Sequence, residues 1–276
     1  MSTKPFYWSV KREIWENRSV LIVPASAAVL FLVAFALNLP GLASVAPTIR
    51  PYRIVCFLLT MASLLTGLFY SLDALHGERR DRSILFWKSM PVSDRVTVLS
   101  KAFIPLILLP LVTLAAGLAT QAVMLLLSAA MLLAISAPME PLRQLPLLHQ
   151  WSEFAGGVAI LAVWQAPIHG WLLLVSSWAR RAVLLWAALL PLAVCLFEHF
   201  AFGSNHLILL LLNRLTAGVL GQGLLQGGLT GASPLERLMQ LSPARLAADL
   251  NLWLGLVPTA LLLAGAMASR RYRAPI

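Results

Sequence analysis

Six long stretches of this chain carry no Asp, Glu, Lys or Arg, and they constrain its fold more than any other feature. They are residues 20–37, 54–72, 102–136, 154–179, 182–197 and 250–269. A helix crossing a hydrocarbon core of about 30 Å needs roughly 20 such residues. The chain has 276 residues, of which 59% are hydrophobic and 12% charged. A soluble domain of this size has nearer 45–50% apolar and about 25% charged residues. A soluble enzyme with one buried core, a disordered tail and a disulfide-stapled secreted scaffold are all excluded. The chain is expected to be an all-α integral membrane protein with six transmembrane helices, a single transmembrane domain over residues 1–276. Cys56 and Cys195 lie inside apolar runs with no CxxC spacing, so they read as small core residues.

The third run, of 35 residues, would extend about 52 Å as one helix, longer than the bilayer core. It is either one tilted or protruding helix or a hairpin, and the charges choose between them. With six spans, 15 of the 21 Lys and Arg share one side: those before residue 19, those in the 73–101 loop, Arg180, Arg181, Arg270, Arg271 and Arg273. A hairpin would export the last five. The positive-inside rule therefore favours six spans with both termini in the cytoplasm. A seventh span over 206–235 fails the same test. That stretch holds six glycines and one charge, Arg214, and reads as short helices lying on or dipping into the outer face. Gly223, Gly227 and Gly231 have the spacing that permits close helix contact. Residues 34–36 read Ala-Phe-Ala, like a signal-peptidase site. The apolar run before them is longer than a signal peptide's and follows Glu13 and Glu16, so the first span is expected to be retained.

Two segments outside the spans carry pattern. Over residues 5–18, Phe6, Tyr7, Trp8, Val10, Ile14 and Trp15 fill one broad helical arc. Arg12, Glu13 and Glu16 sit opposite, and Lys11 can snorkel. This is an amphipathic helix for the membrane interface, with a bend expected near Arg18–Ser19. The 73–101 loop is strongly charged but has Ile84-Leu85-Phe86-Trp87 in its middle. Ser83 can cap a short helix there and Pro91 would stop it. An apolar patch rimmed by charge and facing the cytosol marks a protein contact, or packs under the chain's own spans.

Ionisable groups at the membrane are the other candidates. Asp73 ends the second span, and Glu198-His199 ends the fifth on the outer side. Glu198 could pair with Arg214. These four residues are candidates for a gate or pathway. His169, in the fourth span, reads as a hydrogen-bonded bundle residue. There is no P-loop, HExxH or G-x-S-x-G, so no catalytic, metal or cofactor site is expected in the chain itself. The basic runs are short and juxtamembrane, which suits anionic lipid rather than nucleic acid.

At the 73–101 loop the chain resembles the permease subunits of type-2 ABC transporters. The matching positions are Glu78-Arg79, Ile84 to Trp87, Pro91-Val92-Ser93 and Lys101; where the family has Gly-Thr this chain has Arg82-Ser83. The N-terminal helix is similar to the family's elbow helix. The Ser176-Ser177-Trp178-Ala179-Arg180-Arg181 end of the fourth span is similar to related permeases, and the segment between spans five and six to re-entrant outer helices. The resemblance implies an exporter in a bacterial inner membrane. Two permease chains, identical or paralogous, would form the pathway with two copies of an ATP-binding subunit, which would hold the ATP and Mg. The helix near 83–90 would be the coupling helix, and Glu78, Arg79, Arg82, Ser83, Ile84, Leu85, Phe86, Trp87 and Pro91 would face the ATPase. The competing readings are an ion-coupled secondary transporter, an intramembrane enzyme and a structural membrane subunit without an ATPase partner.

Overall fold

A computed structural model describes residues 3–42, 49–81, 93–215 and 248–272. These residues are almost wholly helical, with no strand among them. Among the described residues six helices are long and apolar enough to cross a membrane, and the chain is a multi-pass membrane protein.

Helix α1 (Thr3–Glu16) is amphipathic, and the chain breaks at Asn17 and Arg18 before α2 (Ser19–Leu42) begins. Helix α3 (Arg50–Asp73) has Pro51 in its first turn, where the missing N–H costs nothing. A short α4 (His76–Arg80) follows. Helix α5 (Asp94–Phe103) is capped by Ser93, whose Oγ accepts from the Val96 amide. It runs without interruption through a π-helical turn at Ile104–Leu108 into α6 (Leu109–Ala134). The 35-residue run is therefore part of one continuous rod of 41 residues, about 61 Å long, and not a hairpin. Pro105 and Pro110 account for the π turn. Proline cannot donate to the carbonyl four residues back and its ring crowds it. The ladder widens instead, with the Leu109 amide bonding the Ile104 carbonyl.

After α7 (Glu140–Arg143), helix α8 (Leu147–Trp178) carries Pro167 in its interior. Helix α9 (Val183–Phe202) follows Ala182, which turns in the left-handed region, and ends on Gly203 at φ +63°. Helix α10 (His206–Leu215) then folds back. Its last residues meet Trp164, about halfway along α8: the Trp164 indole donates to the Asn213 carbonyl at 3.2 Å. Helices α11 (Leu250–Leu254) and α12 (Leu256–Tyr272) complete the bundle, with α12 packed along α8. Gly170 and Gly265 allow that closeness. A Cβ on Gly170 would lie 3.4 Å from Leu262 Cβ, and one on Gly265 would lie 3.3 Å from Leu174.

The core between α2, α3, α6 and α8 is apolar with polar ties: Tyr52, Val55, Leu59, Met124, Phe154 and Val158 pack together. Gln121 donates to the Tyr52 carbonyl and Tyr52 OH meets Ser128 Oγ at 3.2 Å. The outer surface is apolar as well. Helix α9 exposes Leu184, Leu189, Leu192, Phe197 and Phe200, the signature of a lipid-facing helix rather than a solvated one. Cys56 and Cys195 are both buried.

Candidate functional site

The ends of α1, α3, α5, α8 and α12 converge at one end of the bundle, and there the chain buries charge. Glu13 of α1 is completely buried, and Lys101 of α5 is 2% exposed. Lys101 Nζ lies 2.9 and 3.1 Å from the two Glu13 oxygens and 3.2 Å from Glu78 Oε1. Arg12 reaches Glu13 at 2.7 Å and Glu78 at 3.0 Å. Arg270 of α12 bonds Glu78 Oε2 at 2.6 Å and Asp94 Oδ1 at 3.0 Å. Tyr70 OH donates to the second Glu13 oxygen at 2.9 Å. Three carboxylates, Glu13, Glu78 and Asp94, thus face three cations, Arg12, Lys101 and Arg270. The interior is near neutral and its charged oxygens are hydrogen-bonded, which offsets the cost of desolvating them. Burial works against the charge on Arg12, but Glu13, Glu16 and Glu78 more than offset it and raise its pKa.

The same segment grips the end of α8. Arg79 is buried and donates to the Ser177 carbonyl at 2.8 Å and the Ala179 carbonyl at 3.4 Å. These are among the last carbonyls of α8, where orphan acceptors and the helix dipole favour a cation. Ser176 Oγ accepts from the Leu75 and His76 amides, and His76 Nδ1 meets the Ala179 carbonyl at 3.1 Å. Both flanks of segment 82–92 are therefore anchored: α4 on one side and α5, through Asp94 and Lys101, on the other.

Of the residues expected to face an ATPase, Glu78 and Arg79 occupy this interior, bonded within the chain. Arg82, Ser83, Ile84, Leu85, Phe86, Trp87 and Pro91 lie outside the described residues, as do Gly223, Gly227 and Gly231. Asp73 is an exposed carboxylate 3.9 Å from Arg80. Glu198 and Arg214 are not joined among the described residues. The Glu198 carboxylate accepts from Ser204 Oγ and from the His206 and Leu207 amides, fastening the start of α10. His199 Nδ1 meets Asn205 Oδ1 at 2.9 Å. Arg214 instead enters the bundle. Its guanidinium donates to the Trp164 and Asn251 carbonyls and stacks 4.8 Å from the Trp164 ring centroid. Gly255 leaves it room, since a Cβ there would lie 2.5 Å from an Arg214 nitrogen. Burial lowers the Arg214 pKa, and Asp249 opposes that shift.

Glu13 was expected on the polar side of its helix. The structure corrects this because α1 has two apolar faces. Phe6 packs edge-on against Phe103 at 5.7 Å, on the side turned to the bundle. Tyr7, Trp8 and Trp15 face away, 59–65% exposed, with Lys11 about 5 Å over both tryptophan rings. At 100° per residue Glu13 lies only about 20° from Phe6, and that was the available signal. His169, read as a bundle residue, is buried with Nδ1 3.0 Å from Ser71 Oγ.

No protein-family model matches the chain, and no curated protein matches it in sequence.

Proposed function

We propose that this chain is the permease subunit of an ATP-driven ABC exporter, forming a translocation pathway as a dimer and coupled through segment 82–92 to separate ATP-binding subunits. In this reading α1 is the elbow helix in the cytoplasmic interface of a bacterial inner membrane. The basic end of the bundle, with both termini, faces the cytoplasm.

One observation carries the proposal: the buried ionic cluster binds α1, α4, α5 and α12 at the base of segment 82–92. A flexible loop could not transmit the movement of an attached motor. A segment whose two flanks are held by several buried charge-assisted bonds can, because its displacement must carry the ends of three spans with it. Such clusters are weak evidence for stability and are best attested as devices that fix register. Arg79 on the terminal carbonyls of α8 adds a fourth span to the same unit. The Ile84-Leu85-Phe86-Trp87 patch would dock the partner.

The test is to purify the tagged chain from its native membrane in mild detergent and to measure co-purifying ATPase activity. A stoichiometric P-loop ATPase that is lost with Trp87→Glu is the expected result. A chain that runs alone and shows no nucleotide response overturns the proposal.

A further inference from the structure

Helix α1 turns one face to the bundle and one away from it, and its rotation is fixed. On the inward face the buried Glu13–Lys101 pair and the edge-on contact of Phe6 with Phe103 hold the helix in one setting. The outward face then carries Tyr7, Trp8, Lys11 and Trp15, and its three aromatic residues are all well exposed. Lys11 Nζ lies 5.0 Å from the Trp8 ring centroid and 4.9 Å from that of Trp15. One ammonium therefore stands between two indoles spaced seven residues apart.

This face holds a cation and donors but no anion. The two acids of α1 lie about 160° and 140° around the helix from Lys11. Glu13 is buried in the ionic cluster, and Glu16 pairs with Arg12 at 3.5 Å. Among the described residues Lys11 meets no carboxylate, and neither the Trp8 nor the Trp15 indole N–H has a hydrogen-bond partner. An ammonium and two indole N–H groups are thus left to serve something outside the chain.

The position of α1 says what that is. Only Asn17 and Arg18 separate it from α2, whose Leu21, Ile22 and Val23 are exposed at the start of an apolar span. With α2 across the bilayer, α1 is tethered at the headgroups of the leaflet that α2 enters, and Arg18 is exposed at the break. A phospholipid answers each part of the outward face. Its phosphate accepts from the ammonium and the indoles, and its glycerol and first methylenes lie on the rings.

We propose that the outward face of α1 binds an anionic phospholipid, with Lys11 as the phosphate contact and Trp8 and Trp15 flanking it. This adds a preference for lipid charge to the interfacial placement of α1. It rests on α2 crossing the membrane and uses nothing of the exporter reading. The same helix presents Lys11 to the leaflet and Glu13 to Lys101, so a bound lipid stabilises the fold that holds the cluster.

The test melts the full chain in nanodiscs of phosphatidylcholine with increasing fractions of phosphatidylglycerol. Phosphatidylglycerol is expected to raise the melting temperature. Lys11→Gln should need about 5-fold more of it for the half-maximal rise, the loss of one cation near the surface. Trp15→Leu stays apolar but loses the ring and its N–H, and should weaken the response too. Arg95→Gln removes the same charge from an exposed position on α5 and should leave the response unchanged. An equal loss in Arg95→Gln would mean unspecific attraction and overturns the proposal. A melting temperature indifferent to phosphatidylglycerol, or a full response in Lys11→Gln, overturns it as well. So does an equal rise with inorganic phosphate in phosphatidylcholine discs, which would make the ligand a free anion.

Discussion

Lys101 and Glu13 stand 88 positions apart in the chain and form a two-oxygen ion pair, at 2.9 and 3.1 Å, from which water is almost wholly excluded. The pair joins the N-terminal helix to the start of the longest membrane helix. Around it Glu78, Arg12, Tyr70 and Arg270 complete a cluster whose members come from five helices.

Removing one partner of this pair leaves a buried charge uncompensated. Lys101→Met is expected to destabilise the protein by about 3–5 kcal/mol. Glu13→Gln should cost a similar amount. The double variant should lose less than the sum, because each single change exposes the other's charge. Thermal melting of the four proteins in one detergent measures the coupling, and strict additivity would show that the two side chains act independently.

Arg214 holds α10 against α8 and α11 by a planar fork on two carbonyls and a stacked ring. Lysine keeps the charge but loses the fork and the stacking plane. Arg214→Lys should therefore speed amide exchange over residues 206–215 nearly as much as Arg214→Leu. Gly255→Ala should do so too, by displacing the guanidinium. Unchanged exchange in all three would show that α10 is held by its apolar contacts alone.

Gly117 faces Phe154 across the α6–α8 contact, where a Cβ would lie 2.5 Å from Cε1 of the ring. Gly117→Ala is expected to destabilise by about 1–3 kcal/mol through overpacking. Pairing it with Phe154→Leu should recover part of the loss. Differential melting of the single and double variants checks this, and an alanine that costs nothing would mean that the ring has room to turn.

The charge distribution makes a topological prediction. Cysteines placed at Arg180 and at Leu148 lie at opposite ends of α8 and are both exposed. An impermeant maleimide should label position 148 from the outer side and position 180 only after the membrane is opened. The native cysteines are buried and should add little background. The reverse labelling pattern would invert the orientation.

The spans were legible because lipid imposes a length and a composition on any helix that crosses it. Residues 20–37, 54–72, 154–179 and 250–269 overlap α2, α3, α8 and the α11–α12 pair, with α8 beginning seven residues before its run. The uninterrupted run at 102–136 was decided by charge parity, since a hairpin would have moved five arginines across the membrane. That reasoning reads each residue by its own preference for water or lipid. It fails where a preference is overridden by a partner. Glu13, Glu78 and Arg79 are residues that water solvates well. Only the tertiary fold, by bringing Lys101, Arg12, Arg270 and the end of α8 to them, makes their burial affordable.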